Sequence, residues 1–173
     1  NWSTYQPFID EPYTYSNGTS ILNWDRGYFG FQTLRDALTY SRNIPALKAF
    51  QQVSNKNIQN FVTNLGLSPE VSGNLIHEAH AIGGYNGESP LTLAAAYAAF
   101  ANEGYYTEPY SFTKIIYRDN GEVYERKPKK VKAMSAETAY MVSDVLIDTA
   151  KYALGKYSNI NGSTYGAKTG TTN

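Results

Sequence analysis

Two short clusters in this sequence combine residue types that acyl-transfer chemistry uses. Lys168-Thr169-Gly170-Thr171 sets a lysine beside two hydroxyls, a group suited to binding a carboxylate. Gly170 has no side chain, so a substrate backbone can lie against it. The Thr171 backbone N–H can point at an oxyanion developing on a carbonyl. A Lys-[Ser/Thr]-Gly triplet arises by chance in roughly one chain in ten of this length, so it carries weight only in company. Its company is Ser41-Arg42-Asn43, which precedes it. A serine hydroxyl can pass a proton, and an asparagine amide both donates and accepts. Such a pair can hold a substrate amide while steering a catalytic lysine. Taken in isolation, Ser41 and Asn43 read first as caps of the helix that follows. Arg42, between them, is given no role.

Three further groups compete for attention. Ser72-Gly73-Asn74 repeats the Ser-x-Asn pattern in a loop without an adjoining helix to fix its geometry, so it ranks below Ser41 and Asn43. Ser111-Phe112-Thr113-Lys114 is the one Ser-x-x-Lys in the chain. It falls where a strand begins, and alternation there puts Ser111 and Lys114 on opposite faces. His77 and His80 are three apart, but no His-Glu-x-x-His pattern completes a zinc set. No metal and no cofactor are expected.

These residues need elements to position them. Residues 1–32 read as irregular, with Asn17-Gly18 as a turn. Thr33 caps a short helix that ends near Tyr40, its apolar stripe being Leu34, Ala37 and Leu38. Ile44 precedes a proline and is biased out of the helical region, so Pro45 opens the next helix, through Val53. Ser41-Arg42-Asn43 is the bend between the two. A third helix runs from Asn57 to Leu65, and residues 68–88 form a loop. Ser89-Pro90 starts a helix from Leu91 to Asn102, apolar all round and therefore expected to be buried. Phe112 to Arg118 and Glu122 to Arg126 form a hairpin about Asp119-Asn120-Gly121. Ser135 caps a helix from Ala136 to Thr149, and Gly166 to Thr172 reads as a short strand. The fold class is α+β, with more helix than strand.

Composition bounds the function. With 173 residues, 42% hydrophobic and 17% charged, the chain can bury one core. Fifteen basic residues balance fifteen acidic ones, which gives no electrostatic reason to expect nucleic acid or an anionic membrane as the main partner. The local basic run Arg126-Lys127-Pro128-Lys129-Lys130 reads as a solvated loop. The lack of cysteine removes disulfides, zinc–thiolate sites and cysteine nucleophiles. Sixteen tyrosines suit half-buried packing, and also surfaces facing sugar or peptide. No apolar stretch approaches the length of a membrane span. The first residue is Asn1, so the chain is expected to begin inside a longer protein or after a cut, with any targeting or anchoring segment upstream.

The order of the two clusters fits a known motif set: Ser-x-x-Lys, a Ser-x-Asn element, then Lys-Thr-Gly. Three stretches carry a resemblance over nearly the whole chain. They are Ser41-Arg42-Asn43-Ile44-Pro45-Ala46, the run from Gly83-Gly84 through Ser89-Pro90 to Ala101-Asn102-Glu103-Gly104, and Gly166-Ala167-Lys168-Thr169-Gly170-Thr171-Thr172. On these the chain resembles the transpeptidase domain of class A, bifunctional, high-molecular-mass penicillin-binding proteins. The resemblance implies the penicillin-binding-protein and serine β-lactamase fold, an antiparallel sheet with helices. Residues 1–173 would be a partial domain truncated at both ends. It implies a serine acyl-enzyme that cross-links peptidoglycan stem peptides and is the target of β-lactams, on the extracytoplasmic face of a bacterial membrane. A glycosyltransferase domain would lie upstream. By motif position Ser41 would relay a proton and Asn43 would hold the substrate amide and the catalytic lysine. Lys168, Thr169 and Thr171 would bind the terminal carboxylate. The Ser-x-x-Lys serine should precede Ser41 and is expected upstream of Asn1, so this chain alone is expected to be inactive. A serine β-lactamase is disfavoured, because no glutamate here has an asparagine three residues on. A β-lactam sensor or a non-catalytic peptidoglycan-binding module of the same fold stays open.

Overall fold

The structure, a computed structural model, describes residues 2–160 and 162–170. Four strands lie where the sequence reads as irregular. Strand β1 (Pro7–Asp10) pairs antiparallel with β4 (Gly30–Thr33), and β2 (Tyr13–Thr14) pairs with β3 (Ser20–Ile21). The β2–β3 turn is the expected one, with Gly18 at φ 84°. In β1 the side chains alternate, Phe8 and Asp10 buried, Pro7 and Ile9 exposed. Alternation over four residues is too short to announce a strand by itself; the ladder to β4, about twenty residues on, makes it one.

Helix α1 (Leu34–Thr39) follows β4 directly. Thr33 and Asp36 form a reciprocal capping box at its start, in accord with the sequence. Helix α2 (Asn43–Gln51) begins two residues before Pro45, not at it. The reason is remote. Asn23 Oδ1 accepts the backbone N–H of Asn43 at 2.9 Å, so a side chain from another segment caps the helix. Neither Ser41 nor Asn43 caps it; the N-cap residue is Arg42, and its side chain makes no capping bond. Helix α3 (Asn55–Asn64) is capped by Ser54, and a 3₁₀ turn, Glu78–Ile82, interrupts the following loop.

Helix α4 (Pro90–Ala101) is not buried all round. Ala96 and Ala99 are buried, whereas Leu91, Leu93 and Tyr97 are exposed, because the described residues cover one side of it only. It turns at Gly104 into β5 (Tyr105–Thr107). Gly104 has φ 82°, and a β-carbon there would lie 2.3 Å from the Met134 carbonyl oxygen. Strand β5 pairs with β8 (Lys130–Lys132), so Lys130 of the basic run is a strand residue rather than loop. The expected hairpin is present but shorter, as β6 (Lys114–Ile116) and β7 (Val123–Glu125). Helix α5 (Ala136–Leu154) runs five residues beyond the expected end. A second 3₁₀ turn, Gly155–Ser158, leads to a two-residue hairpin of β9 (Asn159–Ile160) and β10 (Ser163–Thr164).

Two apolar clusters organise these elements. Leu65, Ala96, Ala99, Tyr106, Met134 and Ala139 join α3, α4, β5 and α5. Ile21, Ile44 and Leu47 join β3 to α2. The fold is α+β, with small antiparallel sheets between helices. No helix among the described residues is long and apolar enough to cross a membrane.

Candidate active site

The fold brings the two sequence clusters together. Lys168 Nζ donates to Ser41 Oγ at 2.7 Å, across 127 residues of sequence. It also donates to the Thr169 carbonyl oxygen at 3.1 Å, and its Nζ lies 3.4 Å from Thr169 Oγ1. Burial holds the Lys168 pKa below the usual lysine value, since a low-dielectric setting disfavours the ammonium. Thr169 and Gly170 are exposed beside it, and the space above Gly170 is open. Thr171, assigned the oxyanion-hole N–H, lies outside the described residues.

Helix α5 sets the spacing of this pair. On one side, Arg35 of α1 bridges Asp144 and Asp148 of α5. On the other, the Ala167 N–H donates to the Leu146 carbonyl of α5 at 3.1 Å. A β-carbon on Gly166 would come 2.7 Å from Leu146 Cβ, so only glycine lets the segment lie this close. The strand expected over Gly166 to Thr172 is absent from 166–170, where no strand among the described residues runs alongside to form a ladder; Thr171 and Thr172 lie outside the described residues.

Ser41 owes its place to the way α1 ends. The Ser41 N–H donates to Leu38 O at 3.2 Å and the Arg42 N–H to Ala37 O at 2.9 Å. That pair of bonds is a Schellman motif, which needs a left-handed residue at the position Ser41 fills. Ser41 has φ 56° accordingly, where glycine is the usual occupant. The turn aims its hydroxyl at Lys168. Asn43 opens α2, and its Nδ2 donates to Leu22 O at 2.8 Å, which leaves one amide N–H and the carbonyl oxygen for other partners.

Arg42, given no role from sequence, is buried with two carboxylates. Its Nε meets Asp10 Oδ2 at 2.8 Å, Nη1 meets Asp25 Oδ2 at 2.8 Å, and Nη2 donates to Gly27 O at 2.6 Å. The Phe29 ring lies 4.0 Å from its guanidinium carbon. Burial works against the Arg42 charge, but the hydrogen bonds it donates to Asp25 and Asp10 outweigh it and raise its pKa. Arg42 in turn holds the Asp25 carboxyl below the usual range. The available signal was its position just before the buried Ile44, Pro45 and Leu47, where an arginine must find carboxylates.

The other candidates stand apart. Ser111 is exposed and Lys114 lies on β6; among the described residues no hydrogen bond joins them. Ser72 bridges to Leu75 in a tight turn. His77 Nδ1 accepts the Ala79 N–H at 3.2 Å, and His80 Nε2 lies 3.5 Å from Glu70.

The family profile described as the penicillin-binding protein transpeptidase domain matches residues 1–173. The chain belongs to that family. Its relatives include penicillin-binding protein 1A/1B of Bacillus subtilis, 45% identical over 99% of this chain and 19% of that protein. Penicillin-binding protein 1A of Streptococcus pneumoniae is 37% identical over 95% of this chain and 23% of its own length. These relatives are class A penicillin-binding proteins, and the chain spans about a fifth of their length. Among solved structures, the D,D-transpeptidase domain of a peptidoglycan glycosyltransferase from Eggerthella lenta superposes with a TM-score of 0.78 at 21% identity, over 99% of this chain and 49% of that one. Penicillin-binding protein A from M. tuberculosis gives 0.81 at 16% identity, over 98% and 43%. The latter two show a shared fold.

Proposed function

We propose that residues 1–173 form part of a peptidoglycan D,D-transpeptidase domain that works through a serine acyl-enzyme and is acylated by β-lactams. The observation that supports this best is the bond from Lys168 Nζ to Ser41 Oγ, which joins the Ser-x-Asn and Lys-Thr-Gly elements in one site. Lys168 donates to Ser41, so the Ser41 O–H is free to donate onward to a leaving amine. The depressed Lys168 pKa eases that proton's departure. Asn43 offers its remaining amide N–H and its carbonyl oxygen to a substrate amide. Lys168, Thr169 and Thr171 receive the substrate carboxylate, and Gly170 leaves room for its backbone. The nucleophile belongs to a Ser-x-x-Lys element upstream. Donor and acceptor are peptidoglycan stem peptides, and the site faces the extracytoplasmic side of the membrane.

Covalent labelling with a fluorescent penicillin tests the proposal. The isolated chain is expected to take no label, and a stable adduct on Ser111 would overturn the placing of the nucleophile. In the intact protein Lys168→Ala is expected to slow acylation without unfolding the domain; an unchanged rate would refute the role of Lys168. Stem-peptide exchange by the intact protein separates a transpeptidase from a sensor of the same fold, which would take label without turnover.

A further inference from the structure

The three residues around Ser41 are each tied to one loop, and Ser41 is not. Tyr40 offers its carbonyl oxygen to Trp24 Nε1 at 3.2 Å. Arg42 donates to Asp25 and to Gly27 O. Asn43 is held twice, by its backbone N–H on Asn23 Oδ1 and its Nδ2 on Leu22 O. Loop 22–29 therefore grips the bend on both sides of Ser41, whose hydroxyl is engaged by Lys168.

Arg42 and Asp10 lock that loop. Asp10 accepts from Arg42 Nε, from Asn23 Nδ2 at 2.7 Å and from the Phe29 N–H at 3.1 Å. Its bond to Asn23 turns the Asn23 oxygen toward the start of α2. The side chains of Arg42 and Asp10 are both fully buried. A buried ion pair contributes little stability over apolar side chains of like volume, because desolvation offsets the attraction. What it does supply is geometry: three nitrogens in a plane, each with a fixed acceptor.

We propose that Arg42 is a positioning residue for the acyl-transfer site: it fixes the left-handed turn that presents the Ser41 hydroxyl to Lys168. This rests on the reading of Ser41 as part of the proton path. Arg42 touches no substrate; it acts through Ser41. A lysine in its place keeps the charge but has no planar fork, so it cannot meet Asp10, Asp25 and Gly27 together.

The test is a double-mutant cycle on the intact protein, reading the second-order rate of acylation by a β-lactam. Arg42→Lys is expected to slow acylation roughly ten- to a hundredfold, the scale of a misplacement near 1 Å. In a Ser41→Ala background the same change is expected to cost less than about twofold, because the group it positions is gone. A purely structural role would give the same factor in both backgrounds, and that result, or no slowing by Arg42→Lys, would overturn the proposal. If Ser41→Ala alone leaves the rate unchanged, the reading of Ser41 fails, and the proposal with it. Should Arg42→Lys fail to fold, Asp25→Asn replaces it in the cycle. That change frees one guanidinium nitrogen while keeping the buried pair with Asp10, and the same outcomes decide.

Discussion

Ser41 fills a left-handed position that glycine usually takes, and the strain there can be measured. The perturbation is a pair of variants, Ser41→Gly and Ser41→Ala. Both remove the hydroxyl and its bond to Lys168, so that loss cancels between them. Ala retains the β-carbon at φ 56°. Left-handed backbone costs a residue with a β-carbon roughly 1–2 kcal/mol. Glycine relieves this but gains freedom in the unfolded chain, which offsets roughly 0.4–1 kcal/mol. Ser41→Gly is therefore expected to be the more stable by roughly 0.5–1 kcal/mol. For a domain of roughly 150 residues or more that is a gap in Tm of at most about 4 °C. Thermal and urea denaturation of the two variants, with matched m-values, reads it. In the intact protein both variants are expected to slow β-lactam acylation to the same extent. If Ser41→Ala melts with Ser41→Gly or above it, the turn does not strain its residue, and the account of a serine held there for its hydroxyl is wrong.

Acylation by a β-lactam carrying a carboxylate is expected to fall on an alkaline limb centred below the usual lysine value, because burial lowers the Lys168 pKa; Lys168→Arg should move that limb out of range. The linked stability has a definite sign. Between the lowered folded pKa and the usual one the unfolded chain binds more protons, so stability rises with pH across that window. Denaturation of wild type and Lys168→Met against pH checks it, and the variant's slope should be smaller there. Gly166→Ala is expected to push the Lys168 segment off α5, at a cost of roughly 1–3 kcal/mol, and to slow acylation. Arg35→Met, which breaks the partly exposed bridges between α1 and α5, is expected to lower stability by about 1 kcal/mol, less so at high salt.

The residue types of the candidate site are legible from sequence, and its geometry in part. Ser41, Asn43 and Lys168 announce themselves by order and spacing, and Thr33, Ser54, Ser89 and Ser135 mark helix starts because a cap is a local bond. What escaped was non-local. Helix α2 starts at Asn43 because Asn23 caps it from another segment, and nothing near Pro45 shows that. From sequence Arg42 reads as a spacer between two candidate residues, because its partners are 15 to 32 positions away. Strands β1 to β4 were missed for the same reason: their runs are short, and pairing rather than pattern defines them. Gly166 to Thr172 reads as a strand from its residue types, yet over the described residues 166–170 it forms none, and the Ala167 N–H is bonded to α5 instead.

The contact between Lys168 and Ser41 closes a span of 127 residues, and this orders events in time. The grip of loop 22–29 on the bend involves residues 10–43 alone, so it draws on short-range closure. Contacts of high sequence separation form late, since their chain entropy is met before they repay it. The bend is therefore expected to be complete before the lysine reaches it. In the intact protein, reactivity toward β-lactams is then expected to trail the recovery of helical signal on refolding.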